Sequence, residues 1–175
     1  MGLFGQKPIY KCKILERFKI DPYVLSQCPL VGETPIYRIY SYKADSTSST
    51  YLLRQEKVNP KKTVYLGHAK RNMCIYYDKI FAIDRINYTS RTYHPLYCTD
   101  ISTGDKHELD VLSDKGCYIA MHWHCQDCVE AMNVYDEAVV LDVTRYKESS
   151  HYEEEMKYQV IIRREENSLT KEYRY

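Results

Sequence analysis

The densest ligand chemistry in the chain is the run His122-Trp123-His124-Cys125-Gln126-Asp127-Cys128. Two imidazoles and two thiolates make a closed tetrahedral donor set, the chemistry of a structural zinc site. Cys125-x-x-Cys128 has the spacing of half such a site. On a strand over 117–124, His122 and His124 share one face, roughly 6.5–7 Å apart by the strand rise. The usual zinc spacing calls for a second ligand pair about 12–20 residues away, and none follows. A redox role for this CxxC needs a βαβ setting that the surrounding sequence lacks. Packing and surface roles are thus the favoured reading. Zinc on His122, His124, Cys125 and Cys128 is the one cofactor the sequence offers.

Charge is the second chemical signal. The 175 residues carry 25 basic and 24 acidic side chains, yet residues 1–72 have a net charge of +8 and residues 99–142 a net of −8. The acidic stretch holds Asp100, Asp105, Glu108, Asp110, Asp114, Asp127, Glu130, Asp136 and Glu137. Such a cluster can dock a basic protein and steer its approach. The basic stretch places Lys57, Lys61, Lys62, Lys70 and Arg71 near Tyr51 and Tyr65. Those residues could follow a nucleic-acid backbone and stack its bases. A net of +1 is far from the balance of a nucleic-acid binder, so the acidic face is preferred.

The elements that must position these groups read as strands. Short runs rich in Tyr, Ile and Val alternate with period two, as half-buried strands do. They include 36–42, 50–58, 73–77, 80–86, 96–101, 117–123, 138–146 and 157–163. Polar breaks separate them at Ser46–Ser49, Asn59-Pro60, Ser102–Asp105 and Glu166–Ser168. Helix signals are few: one turn at 21–26 with proline at its first position, and a short segment at 126–132. Leu, Ile, Val and Phe make up only 22% of the chain, while Tyr alone numbers 19. Tyrosine must therefore serve both core and surface. The length fits a single domain over 1–175.

Three stretches, 36–66, 80–109 and 139–173, share one layout: strand, polar connection, strand, polar turn, short run. The expected fold is mostly β: an antiparallel, Tyr-rich sheet or sandwich of three hairpin-like units. The middle unit carries Ile80, Ile83, Asp84, Leu96, Tyr97, Asp100, Thr103, Gly104 and Leu109. In that spacing it resembles the blade repeat of certain bacterial β-propellers. Three units are fewer than the ~4–8 blades of a closed ring, so an open arrangement is expected.

No catalytic signature is present: no G-x-S-x-G, H-E-x-x-H, G-x-G-x-x-G or phosphate-binding glycine loop. Nor is there an 18-residue apolar run or a signal-peptide pattern. Seven cysteines at irregular spacings suit a reducing cytosol and argue against structural disulfides. Small, cytosolic, motif-free and charge-polarised, the chain is similar in type to bacterial immunity proteins, which block a toxin by covering its active site. The sequence thus points to a protein-binding module. Zinc binding and nucleic-acid binding are the alternatives, and oligomeric state stays open.

Overall fold

The computed structural model describes residues 10–11, 20–43, 50–70, 72–83, 86–88, 91–93, 96–109, 116–117, 127–147, 150–166 and 168–175. After a short strand β1 (Tyr10–Lys11) comes one helix, α1 (Pro22–Ser26). Its start is the proline turn expected from sequence: Asp21 Oδ1 accepts the Tyr23 amide at 2.7 Å, and Pro22 opens the helix.

The other described elements are strands, most of them organised as three four-stranded antiparallel meanders. The first sheet is β2 (Leu30–Glu33), β3 (Tyr37–Lys43), β4 (Thr50–Glu56) and β5 (Thr63–His68). The second is β6 (Met73–Tyr76), β7 (Lys79–Ile83), β10 (Leu96–Asp100) and β11 (Asp105–Leu109). Between β7 and β10 lies a small hairpin, β8 (Ile86–Tyr88) and β9 (Arg91–Tyr93). Its pairs Ile86↔Tyr93 and Tyr88↔Arg91 continue the register set by Ile83↔Leu96. After β12 (Gly116–Cys117), the third sheet is β13 (Asp127–Tyr135), β14 (Ala138–Lys147), β15 (Ser150–Glu165) and β16 (Ser168–Arg174). β1 extends the second sheet beside β11, and β12 runs parallel to β13 at the edge of the third.

The expected mostly-β fold of three hairpin units is thus present. Each unit is longer than its sequence stretch, because each begins one strand earlier. One expectation is overturned: of the segment read as a short helix over 126–132, residues 127–132 are the start of β13. A β-bulge between Val129 and Ala131 explains the misreading. It lets Val129 and Met132, three residues apart, both join the same buried cluster, and three-residue spacing imitates a helix.

The second sheet is buried on both faces. Phe81, Ile83, Leu96, Cys98 and Leu109 meet Leu141, Val143, Val160 and Ile162 of the third sheet. Ile80 and Ile101 face the other way, onto Ile39, Leu52, Val64 and Leu66 of the first. Here β2 passes so close to β6 that a Cβ on Gly32 would lie 2.5 Å from Ile75 Cδ1. Leu25 of α1 covers the far side of the first sheet, against Tyr40 and Leu53.

Polar contacts also cross the layers, among them an Arg164–Asp78 ion pair at 3.7 Å. Tyr76 Oη donates to the Glu137 carbonyl at 2.6 Å and accepts the Arg164 amide at 3.0 Å, joining the second sheet to the third. Arg54 of β4 donates from Nη1 to the carbonyls of Ile101 and Ser102, joining the first sheet to the second. Its guanidinium also lies 4.6 Å from the Tyr37 ring centroid. β15, at 16 residues, outruns its neighbour: β16 pairs only with 159–165. Among the described strands, 150–158 therefore have a partner on one side alone, and Glu153, Glu154 and Glu155 are exposed there.

Candidate functional site

In a meander, the first and third connections lie at one end of the sheet and the second at the other. The contacts place the first-connection ends of all three sheets together. Thr34 closes β2–β3, its Oγ1 accepting the Tyr37 amide at 3.0 Å. Tyr77–Asp78 closes β6–β7, and Asp136–Glu137 closes β13–β14. The Tyr76 hydroxyl, bonded to the Glu137 carbonyl, ties the last two together.

Between these turns lie two adjoining crevices. One, of about 180 Å³, is lined by Tyr76, Tyr77, Asp78, Lys79, Arg164 and Ser168, with Leu169. The other, of about 390 Å³, runs from Glu33, Thr34 and Pro35 past Ile75 to Tyr77, Asp78 and Arg164. Tyr77, Asp78 and Arg164 form the wall between them.

Tyr77 is held in an unusual state. Its φ is +53°, a left-handed conformation that costs a side-chain-bearing residue roughly 1–2 kcal/mol. Its ring makes an edge contact with Tyr76 at 4.7 Å between centroids, and the Arg164 guanidinium sits 5.2 Å away on its other contact. Half its surface remains exposed. Asp136, Glu137 and Glu166, in the neighbouring turns, also have positive φ. The result is a half-exposed aromatic side chain held between Tyr76 and Arg164, with Asp78 and Lys79 lining the crevice beside it.

The turn after β10 braces this end. Asp100 Oδ1 accepts the amides of Ser102 at 2.9 Å and Thr103 at 2.8 Å, and Gly104 turns the chain at φ +74°. Its Oδ2 meets Lys79 Nζ at 2.5 Å. Burial alone would raise the Asp100 pKa, but the bonds from Lys79, Ser102 and Thr103 hold it well below the usual carboxylate range. Lys79 is displaced upward: its bonds to Asp100 and Asp78 outweigh the opposite pull of burial.

The acidic residues singled out from sequence do not form one face. Asp136 and Glu137 stand exposed on the turn end. Asp100 is committed to its own turn and to Lys79, while Asp105 and Glu108 lie half-buried on β11. Glu130 is exposed on β13, accepting from the Tyr146 hydroxyl at 3.3 Å. Asp127 is no docking residue: it is fully buried, and Arg145 grips it through Nε at 2.6 Å and Nη2 at 3.0 Å. An acidic side chain in a core must be paired, and sequence alone does not reveal the pairing. This contact raises the Arg145 pKa. Burial, followed by the Asp127 charge, raises that of Tyr158 beside it. Asp110, Asp114, His122, His124 and Cys125 lie outside the described residues, and of Cys128 only the backbone, in β13, is described. Among the described residues no group of three or more His, Cys, Asp or Glu could hold a metal. No described helix is long and apolar enough to cross a membrane.

Sequence reasoning missed Tyr77, Asp78 and Arg164. The available signal was the absence of Gly, Asn or Pro from a two-residue turn between strong strand runs, which marks an atypical hairpin loop.

The fold and crevice describe an all-β protein of stacked meanders with an aromatic and acidic turn end. A scan against family models finds no match, and searches of curated proteins and of solved structures find none either.

Proposed function

We propose that the chain is a protein-binding module that receives a basic partner on the turn end of the stack. In its most specific form this is a cytosolic immunity-type protein, which neutralises a basic toxin by covering the toxin's active site. One observation carries the reading: Tyr77 is locked between Tyr76 and Arg164 while half its surface stays open. Tyr and Arg dominate the energetic centres of protein interfaces, and a preset side chain has less entropy to lose on binding. Asp136, Glu137, Glu165 and Glu166, exposed in the turns at this end of the stack, add negative charge that attracts a basic surface and repels an acidic one.

The test uses the whole chain, immobilised, against a lysate of the source organism. A basic protein should be captured, and titration calorimetry on the purified pair should give sub-micromolar affinity. Tyr77→Ala should weaken it at least tenfold, with the fold checked by circular dichroism. Asp136→Lys with Glu137→Lys should slow association and reduce its salt dependence. A partner indifferent to all three substitutions would place the interface elsewhere. Absence of any sub-micromolar partner would overturn the reading.

A further inference from the structure

The third sheet turns one face to the core and the other away from it. Leu141, Val143, Val160 and Ile162 point inward, so their neighbours Asp142, Thr144 and Gln159 point outward. Asp142↔Gln159↔Arg174 form one row across β14, β15 and β16, and Thr144↔Lys157 belong to the next. Glu130 is the extra residue of the β13 bulge, where the pairing passes from Val129↔Val143 to Ala131↔Asp142. Together with Tyr175, these side chains line a pocket of about 500 Å³. That volume lies within the roughly 300–1,000 Å³ of small-molecule sites. None of these residues lines the turn-end crevices.

The pocket keeps bonding capacity unspent. Thr144 is only 3% exposed, and its hydroxyl has no hydrogen-bond partner among the described residues. A buried hydroxyl left in that state is costly, and a ligand oxygen would complete it. The guanidinium of the exposed Arg174 is likewise unengaged among the described residues. Gln159 Nε2 donates to Asp142 Oδ1 at 2.8 Å, which leaves Gln159 Oε1 and Asp142 Oδ2 as acceptors. Tyr175 is 79% exposed, its ring 5.7 Å from that of Tyr158 and tilted by 32°.

The side chains of the lining set two carboxylates, Glu130 and Asp142, against two cations, Lys157 and Arg174. A charged ligand therefore meets repulsion as well as attraction. A neutral ligand rich in hydroxyls does not. Each hydroxyl donates and accepts, so one group can bridge a carboxylate oxygen and a guanidinium N–H. A sugar ring adds a face of C–H groups that packs on an aromatic ring.

We infer that this outer pocket of the third sheet binds a neutral saccharide, at a site separate from the turn end. The sugar hydroxyls bond to Thr144, Gln159, Asp142 and Arg174, and its C–H face lies on Tyr175.

The test is saturation-transfer NMR of the full chain with maltose, cellobiose, lactose and diacetylchitobiose at millimolar concentration. At least one sugar should give a saturable signal. Sodium phosphate and free lysine, as anion and cation probes, should not displace it at equal concentration. Thr144→Val keeps the branched bulk and removes the hydroxyl, so it should weaken binding about fivefold, the worth of one neutral hydrogen bond. Tyr175→Ala should weaken it about tenfold, while Tyr175→Phe, which keeps the ring, should stay near wild type. Circular dichroism checks that each variant is folded. Three results would each overturn the inference. They are no saturable signal from any of the sugars, displacement by phosphate or lysine, and wild-type binding by Thr144→Val or by Tyr175→Ala.

Discussion

The two contacts of the second sheet are made of different material. Towards the third sheet, fifteen buried residues among those described form one continuous cluster, crossed by the Tyr76 hydroxyl and by the Arg164–Asp78 ion pair. Towards the first sheet, the cluster holds six buried residues among those described, and Arg54 reaches across to two carbonyls. Burial of apolar area is non-directional and supplies most of the free energy. Hydrogen bonds add less net free energy but fix register. The second and third sheets should therefore form the stable body of the molecule, with the first held to it by fewer contacts and a polar clamp.

The largest expected effect is on the broad interface. Phe81→Ala removes a fully buried ring and should cost about 3–5 kcal/mol, read by denaturant unfolding. Ile39→Ala, on the narrow interface, should cost about 2–5 kcal/mol. The sharper readout is hydrogen exchange. Amides of β3 and β4 should open at lower free energy than those of β14 and β15, and Ile39→Ala should widen that gap. Equal protection across all three sheets would break the comparison.

Arg54→Met keeps most of the side chain's bulk but leaves the Ile101 and Ser102 carbonyls without this donor. The cost should be about 2 kcal/mol, with exchange accelerated in the first sheet and not in the third. Asp127→Asn provides the contrast, because it breaks a pair that lies within one sheet. Arg145 is about one third exposed, so the loss should be about 2 kcal/mol and not the larger figure for a wholly buried pair. It should leave the gap between the sheets unchanged.

The smallest effect is pH-dependent and concerns the brace at the turn end. The carboxyl of Asp100 has a lowered folded-state pKa, so its contribution is complete above the unfolded value of about 4 and falls away as pH drops below it. Asp100→Asn should flatten that acid limb by under about 1 kcal/mol, given the partial exposure of the pair. An unchanged acid limb would remove Asp100 from the brace.

Much of the fold was legible in the sequence because runs rich in Tyr, Ile and Val, bounded by polar turns, announce themselves as strands. β3, β4, β7, β10 and β14 all did so. β13 did not, since its bulge placed Val129 and Met132 at helical spacing. The short edge strand β2 lacks enough residues to show a period. The site was far less legible. Asp136 and Glu137 were picked out for their charge, and the turn end does present them. Charge alone could not distinguish them from Asp127, whose burial depends on Arg145, a residue 18 positions away that only the pairing of β13 and β14 brings alongside. The run 73–77 reads Tyr77 as a strand residue, whereas it stands in the β6–β7 turn, because a positive φ leaves no mark on composition or period.

The overhang of β15 has a consequence for what the molecule can assemble with. A strand with one side open is a template for another chain, and the commonest chain nearby is a second copy of the same protein. Among the described strands, Glu153, Glu154 and Glu155 stand along the stretch paired on one side, with Glu153 bonded to Lys147 and Glu154 to Lys157. Two copies approaching edge to edge would set one glutamate row against the other, and like charges facing across a ladder oppose pairing. Acidic side chains along an edge thus discourage that edge from pairing with its own copy.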